Sequence, residues 1–275
     1  MEPVIGPVVA QSAKSAGGVI DKLLGPTAEY YGAQLHDFVI QRNARRVAEK
    51  AASKVAAGAE GAIPIRVAAS VLEQSRWAES EVLSDYLSGV LASGRTASGE
   101  SDAGVAWVAL VGRLSSDQLA LHWVMAASVQ LRFRGRGRDD LWSLTSVQLI
   151  IEYEELFSSL GWDFDSENDI VRMTNAAYGL QREGLIDRLS HGRGDYLRDE
   201  VKYTRGRELD ENLGYVTFRL TGEGLSLLLQ AVGCGQIWVG DVFGEKASLA
   251  VDQTRGLPTL TRPLVVSDLP LVTAL

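Results

Sequence analysis

Sulfur and imidazole are scarce in this chain, which has one cysteine and three histidines among 275 residues. The lone Cys234 excludes an intrachain disulfide. His36, His122 and His191 have no second His or Cys at ligand spacing, so a zinc site of recognisable type is excluded and neither metal nor cofactor is expected. Long apolar runs are missing too: none reaches the uninterrupted stretch of about 18 residues that a bilayer-spanning helix needs, and no transmembrane segment is expected. The Met-Glu-Pro start lacks the basic region of a secretory signal. With the unpaired cysteine this points to a reducing interior, and a cytoplasmic location is expected. Positive charge is in deficit, 27 Lys and Arg against 35 Asp and Glu, for a net charge of -8. That balance argues against nonspecific adhesion to nucleic acid or anionic membrane over the whole surface, while leaving room for local basic patches.

What remains is ordinary globular material. Hydrophobic residues make up 46% and charged residues 23%, which excludes wholesale disorder, and the length favours two packed units. Residues 1–26 read as a short amphipathic lead-in that Gly25-Pro26 breaks. Residues 27 to 57 read as one long helix, capped by Thr27, striped by Tyr31, Leu35, Phe38 and Val39, and ended by Gly58. It carries Arg42, Arg46, Lys50 and Lys54 at strict i, i+4 spacing with Arg45 alongside. Like charges at that spacing repel, so the ladder needs either acids from a neighbouring element or an anionic partner such as a phosphate or lipid headgroup.

Pro64 suits a first helical turn, and Ile65, Ala68, Ala69 and Leu72 share one face. A second helix has Glu79 and Glu81 at its positive end and Leu83, Tyr86, Leu87, Val90 and Leu91 at i, i+3, i+4, i+7, i+8. Ser101-Asp102 opens a third through Trp107 and Val111. Ser115 caps a fourth through Leu119, Trp123 and Met125, which is apolar on most sides and expected at the centre. Residues 27–131 thus read as a helical bundle. The sequence from Ile63 to Gly94, followed by the Leu114-Ser115 step, resembles the Abi-alpha (abortive infection alpha) family of bacterial proteins. The chain departs from that pattern at Ile65-Arg66, where the family prefers Pro-Lys, and Trp77 lies upstream of the usual tryptophan. The resemblance covers roughly Leu24 to Val232. It implies a role in phage defence and a winged-helix-like terminal unit, and it brings no catalytic residues.

Residues 132–140, with Arg132, Arg134, Arg136 and Arg138 among Phe and Gly before two aspartates, read as an Arg/Gly linker. Such a segment either pairs with acidic neighbours or engages single-stranded nucleic acid. In residues 141–244 the expected order is a helix from Ser146 to Leu160, another from about Glu167 to Glu183 stopped by Gly184, a hairpin including Tyr215 to Leu220, and a helix capped by Thr221. That order resembles a winged helix. The helix before the wing would show Arg172, Asn175 and Arg182 to DNA. From 141 to 240, however, nine Lys and Arg face sixteen Asp and Glu, a local balance of -7, where a DNA reader is expected to be basic. The acidic run Asp163 to Asp169 lacks the Gly and terminal Glu of a calcium loop and reads as a helix start. Residues 245–275 form an apolar tail expected to pack on its own chain or on a sister subunit.

The resulting expectation is a mainly α protein, with an N-terminal helical bundle followed by a winged-helix-like α+β unit. It would act non-enzymatically in antiphage defence as a sensor or scaffold, with no catalytic residues. Its contacts would run through the cationic ladder and the arginine loop to an anionic partner, and its expected partners are itself, as a homo-oligomer, or another protein. Nucleic acid is a further candidate through the basic patches. The alternative is a winged-helix DNA-binding transcriptional regulator.

Overall fold

The computed structural model describes residues 42–55, 61–135, 147–200, 209–254, 256–258, 260 and 265–270. The lead-in 1–26, the first half of the expected long helix, His36, Arg136 and Arg138 lie outside them. The fold is mainly helical, with a small antiparallel sheet in the C-terminal half. The chain divides into two compact units: residues 1–113 with 230–236, and residues 114–229 with 237–275.

In the first unit, α1 (Arg42–Lys54), α2 (Ile65–Ser75), α3 (Glu81–Ser93) and α4 (Gly104–Arg113) pack around Val47, Ile63, Val71, Tyr86, Leu87 and Val111, all with no exposed surface. Each such aliphatic side chain contributes about 1.5–3 kcal/mol by leaving water. Ser80 caps α3 by accepting a hydrogen bond from the Leu83 amide at 3.2 Å. From Ser84 to Ser93 this helix is buried on every side. Part of that cover is the short segment 230–236, which approaches so closely that a Cβ built on Gly89 would lie 2.0 Å from the Ala231 carbonyl oxygen. Only glycine fits there.

The second unit opens with α5 (Ser116–Arg132), started by a capping box in which Ser115 and Gln118 satisfy each other's backbone amides. Then come β1 (Val147–Glu152), α6 (Tyr153–Leu160), α7 (Glu167–Arg182), β2 (Ile186–Arg193), α8 (Gly194–Glu200), β3 (Gly214–Leu220), α9 (Gly222–Ala231), α10 (Glu245–Gln253) and β4 (Val265–Pro270). The sheet is antiparallel in the order β2-β3-β1-β4, with Leu149 opposite Phe218 and Ile186 opposite Leu220. Three helices, α5, α6 and α7, with β1 inserted after the first and a β2–β3 hairpin after the last, form a winged-helix-like unit in which β1 pairs with the far arm of the hairpin.

Two expectations need correction. The segment from Ser146 to Leu160 is not one helix, because Val147–Glu152 is a strand and the helix begins at Tyr153. The run Leu149-Ile150-Ile151 is fully buried: Ile150 packs with Leu197, Leu209 and Tyr215, so both faces of the strand are covered and no period of two survives in the sequence. The expected boundary at 132–140 differs from the observed division, which falls between Arg113 and Leu114. Helix α5 is buried along most of its length, as its composition requires, but it is the first helix of the winged-helix-like unit rather than the last of the bundle. The expected tail is likewise partly structured: α10 occupies its start, and β4 adds to the edge of its own chain's sheet beside β1.

Candidate functional site

The cationic ladder is met by acids of the same unit. Arg46 donates to Glu81 at 2.8 Å and to the Ala78 carbonyl. Lys50 reaches Glu81 at 2.7 Å and also pairs with Asp85. Lys54 turns furthest inward, its side chain 10% exposed. Its Nζ donates to the Asp85 carbonyl at 2.7 Å, Ser88 Oγ at 2.9 Å and the Ala231 carbonyl at 2.8 Å, and lies 3.5 Å from the Asp85 carboxylate. Burial pushes the Lys54 ammonium down to about 8, against the opposing pull of Asp85. Glu81 is held below its ordinary value, first by the hydrogen bond from Lys50. Arg45 pairs within its own helix with Glu49 at 2.8 Å, and Arg42 stands exposed at the start of α1. The repulsion that the spacing implies is therefore met by acids inside the fold, and Arg46, Lys50 and Lys54 form a clamp between α1 and α3.

The arginine loop follows the same pattern where it is described. Arg134 makes a bidentate pair with Asp252 at 2.8 and 3.0 Å and also donates to Gln130 at 3.3 Å. Arg132 is exposed.

On α7 the three expected DNA-facing residues part company. Arg172 bends back onto α5: its guanidinium donates to both carboxylate oxygens of Asp117 at 2.8 and 3.2 Å and to Asp169 at 2.7 Å, and it lies 4.7 Å above the Trp162 ring. The Asp117 and Asp169 hydrogen bonds raise its pKa further. Arg172 is thus a structural clamp. Asn175 and Arg182 do face outward. Between them the helix shows Tyr178, and one turn before Asn175 it shows Val171, each 51% exposed. At 100° per residue, Asn168, Val171, Asn175, Tyr178 and Arg182 fall within an arc of about 80°, opposite the buried Met173, Ala176, Ala177 and Leu180. The apolar members of this stripe were not singled out from sequence. Their signal was present, since Val171 and Tyr178 lie out of phase with the core positions of the helix.

The surroundings of α7 are fixed by local chemistry. Ser166 accepts from the Asp169 amide and Asp169 accepts from the Asp163 amide at 2.9 Å, so the acidic run builds the helix start. Beside the stripe, Tyr178 meets the His191 ring edge-on at 5.9 Å. His191 Nδ1 in turn lies 3.0 Å from the Tyr153 hydroxyl. Burial pushes His191 below its ordinary value and Tyr153 up to about 12. Deeper in, His122 Nε2 lies 2.9 Å from the Gly224 carbonyl, and burial pushes this imidazole down to about 4. Trp123, Ala127, Leu131, Val251 and Pro258 line a cavity of about 120 Å³, well below the several hundred Å³ of ordinary ligand sites. Among the described residues no group of three or more His, Cys, Asp or Glu is placed to hold a metal ion, and no helix is long and apolar enough to cross a membrane.

These features define a helical unit joined to a winged-helix-like unit whose third helix presents an outer stripe in which Val171 and Tyr178 stand among polar residues. No family model, no curated protein and no solved structure matches the chain.

Proposed function

We propose that this protein acts by binding, as a sensor or scaffold, with the outer face of α7 as its contact surface, in the phage-defence setting that the resemblance around residues 63–94 implies. The observation that supports this reading is the pair Val171 and Tyr178, each half exposed on the side of α7 away from the core. Side chains of that size on an outer helix face cost solubility and gain when a partner covers them, and tyrosine is among the residues enriched at protein interfaces. The charge balance favours a protein over DNA. The clamp on Asp117 withdraws Arg172, which leaves Arg182 as the one arginine on a stripe within a segment balanced at -7. The ladder, being internal to the first unit, is a stability element in this reading and not the contact surface.

The test is a phage-challenge assay with Val171→Glu and Tyr178→Ala. Both positions are outside the core, so the variants are expected to melt with the wild type while protection is lost. Undiminished protection by both variants at equal protein level refutes the reading.

A further inference from the structure

We propose that the partner of the α7 face is a second copy of this chain, docked antiparallel about a two-fold axis that passes between Thr174 and Asn175. This rests on the reading of α7 as a protein-contact face and names what covers it.

The argument is the spacing along the stripe. Three members of the stripe, Val171, Tyr178 and Arg182, together with Glu167, which flanks it at the start of the helix, are separated by four, seven and four residues, a sequence of intervals that reads the same in both directions. Turned end over end about its midpoint, the helix therefore brings Val171 against the second copy's Tyr178 and Tyr178 against the second copy's Val171. The same rotation brings Glu167 against the second copy's Arg182 and Arg182 against the second copy's Glu167. One operation thus matches apolar with apolar and acid with base, which is what a self-complementary isologous contact requires. A parallel arrangement would set Glu167 on Glu167 and Arg182 on Arg182.

The charges at the two ends are available. Glu167 and Arg182 are both exposed, and neither makes an ion pair among the described residues, whereas Arg172 and Asp169 are bound to each other. At the Glu167 end, Asp163 and Asp165 are also exposed, and that end would meet the second copy's Arg182. At the axis itself stand Thr174 and Asn175, small polar residues that let two helices approach to the usual 8–10 Å. Antiparallel helices also set each positive terminus beside a negative one. Val171 and Tyr178 are about 10 Å apart along the axis, so the dry contact is short and the dimer belongs to the weak, reversible class.

The experiment is sedimentation velocity on the full chain from about 1 to 300 μM, a span that brackets weak self-association. The wild type is expected to dimerise reversibly, and less so at high salt. Arg182→Glu leaves two acids at each end and Glu167→Arg leaves two bases. Because the symmetric contact is lost twice, each variant alone is expected to dimerise about tenfold more weakly. An equimolar mixture of the two restores complementarity and is expected to give back a dimer containing one copy of each.

A wild type that stays monomeric throughout overturns the proposal. So does a dimer indifferent to both substitutions, or a mixture that fails to recover association. Duplex DNA bound by the monomer and released by Tyr178→Ala would instead assign the face to nucleic acid. The phage assay separates this inference from the reading beneath it. A monomeric wild type whose protection is nonetheless lost on Tyr178→Ala keeps α7 as a contact face and removes only the second copy.

Discussion

Replacing Lys54 by methionine separates the two roles open to the cationic ladder. Methionine keeps the length and apolar bulk of the lysine stem and removes the ammonium. The loss leaves the Asp85 and Ala231 carbonyls and the Ser88 hydroxyl without this donor, and among the described residues it leaves the Asp85 carboxylate, 1% exposed, with Lys50 as its remaining ion-pair partner. An unsatisfied buried acceptor costs about 1–3 kcal/mol, and breaking a buried ion pair from one side costs about 3–5 kcal/mol. Against this, Lys54 is itself buried at a cost, as its lowered pKa shows, and that cost disappears with the charge. A net loss of about 2–4 kcal/mol is expected, or roughly 5–15 °C in Tm for a unit of this size. Arg45→Ala, which among the described residues removes one exposed i, i+4 ion pair with Glu49, should stay within about 0.5 kcal/mol. Thermal and urea unfolding followed by far-UV circular dichroism measures both. If Lys54→Met melts within a degree or two of the wild type, the ladder is not a clamp and its role as an anion-binding face returns.

Two further predictions concern the second unit. Folding lowers the pKa of His122 to about 4 from an unfolded value near 6.5, so the unfolded state binds more protons between those values. Stability should therefore be intact above pH 6.5 and fall as pH drops towards 4, by up to about 1.4 kcal/mol per pH unit. His122→Gln, which retains a donor for the Gly224 carbonyl and cannot charge, should flatten that part of the urea-unfolding profile, and an unaltered slope would locate the acid sensitivity elsewhere. Arg172→Ala removes a bidentate ion pair and its stacking on Trp162, and about 1 kcal/mol of stability is expected to go with them. Arg182→Ala is expected to leave stability unchanged within about 0.5 kcal/mol, and equal losses from the two would contradict the division between clamp and surface.

The sequence was legible where one residue or one period decides the element. Ser115 starts its helix where the sequence placed a cap, because its side-chain oxygen meets an orphan amide, and Ser80 and Ser166 do the same at helix starts that the sequence marked only by their acids. The apolar run 147–151 was not legible, since a strand covered on both faces and a buried helical turn share one composition, and length alone decides between them. The placement of α5 was hidden for a related reason. Burial on most sides says that a helix is central without saying to which core. The ladder was legible as a problem in electrostatics, but its solution required Glu81 and Asp85 to be brought across from a helix some 31 to 35 residues later. The outer stripe of α7 could have been read from phase alone. Charge alone points to Arg172, which the fold uses internally, and carries no signal for Val171 and Tyr178.

The route of the chain carries a consequence for dividing it. From the last residues of α9 onward the chain supplies residues 230–236 to the first unit before returning to the second. Those seven residues are held by several groups of α1 and α3. The Ala231 carbonyl takes a hydrogen bond from Lys54, the Gln230 carbonyl takes one from Ser93 Oγ at 3.2 Å, Ser93 Oγ accepts from the Gly235 amide at 2.9 Å, and the Gln236 side chain donates to the Ser93 carbonyl at 2.7 Å. Gly89 is a glycine because of this approach, with no space for a methyl group against Ala231. A fragment ending at Arg113 would therefore expose the buried flank of α3 and leave Lys54 and Ser93 without those partners. Such a fragment is expected to be far less stable than the same helices in the full chain. Adding a peptide spanning residues 228–238 should slow its proteolysis and raise its Tm in a concentration-dependent way. A fragment as resistant to protease as the full chain, and indifferent to the peptide, would show that the first unit does not need its returning segment.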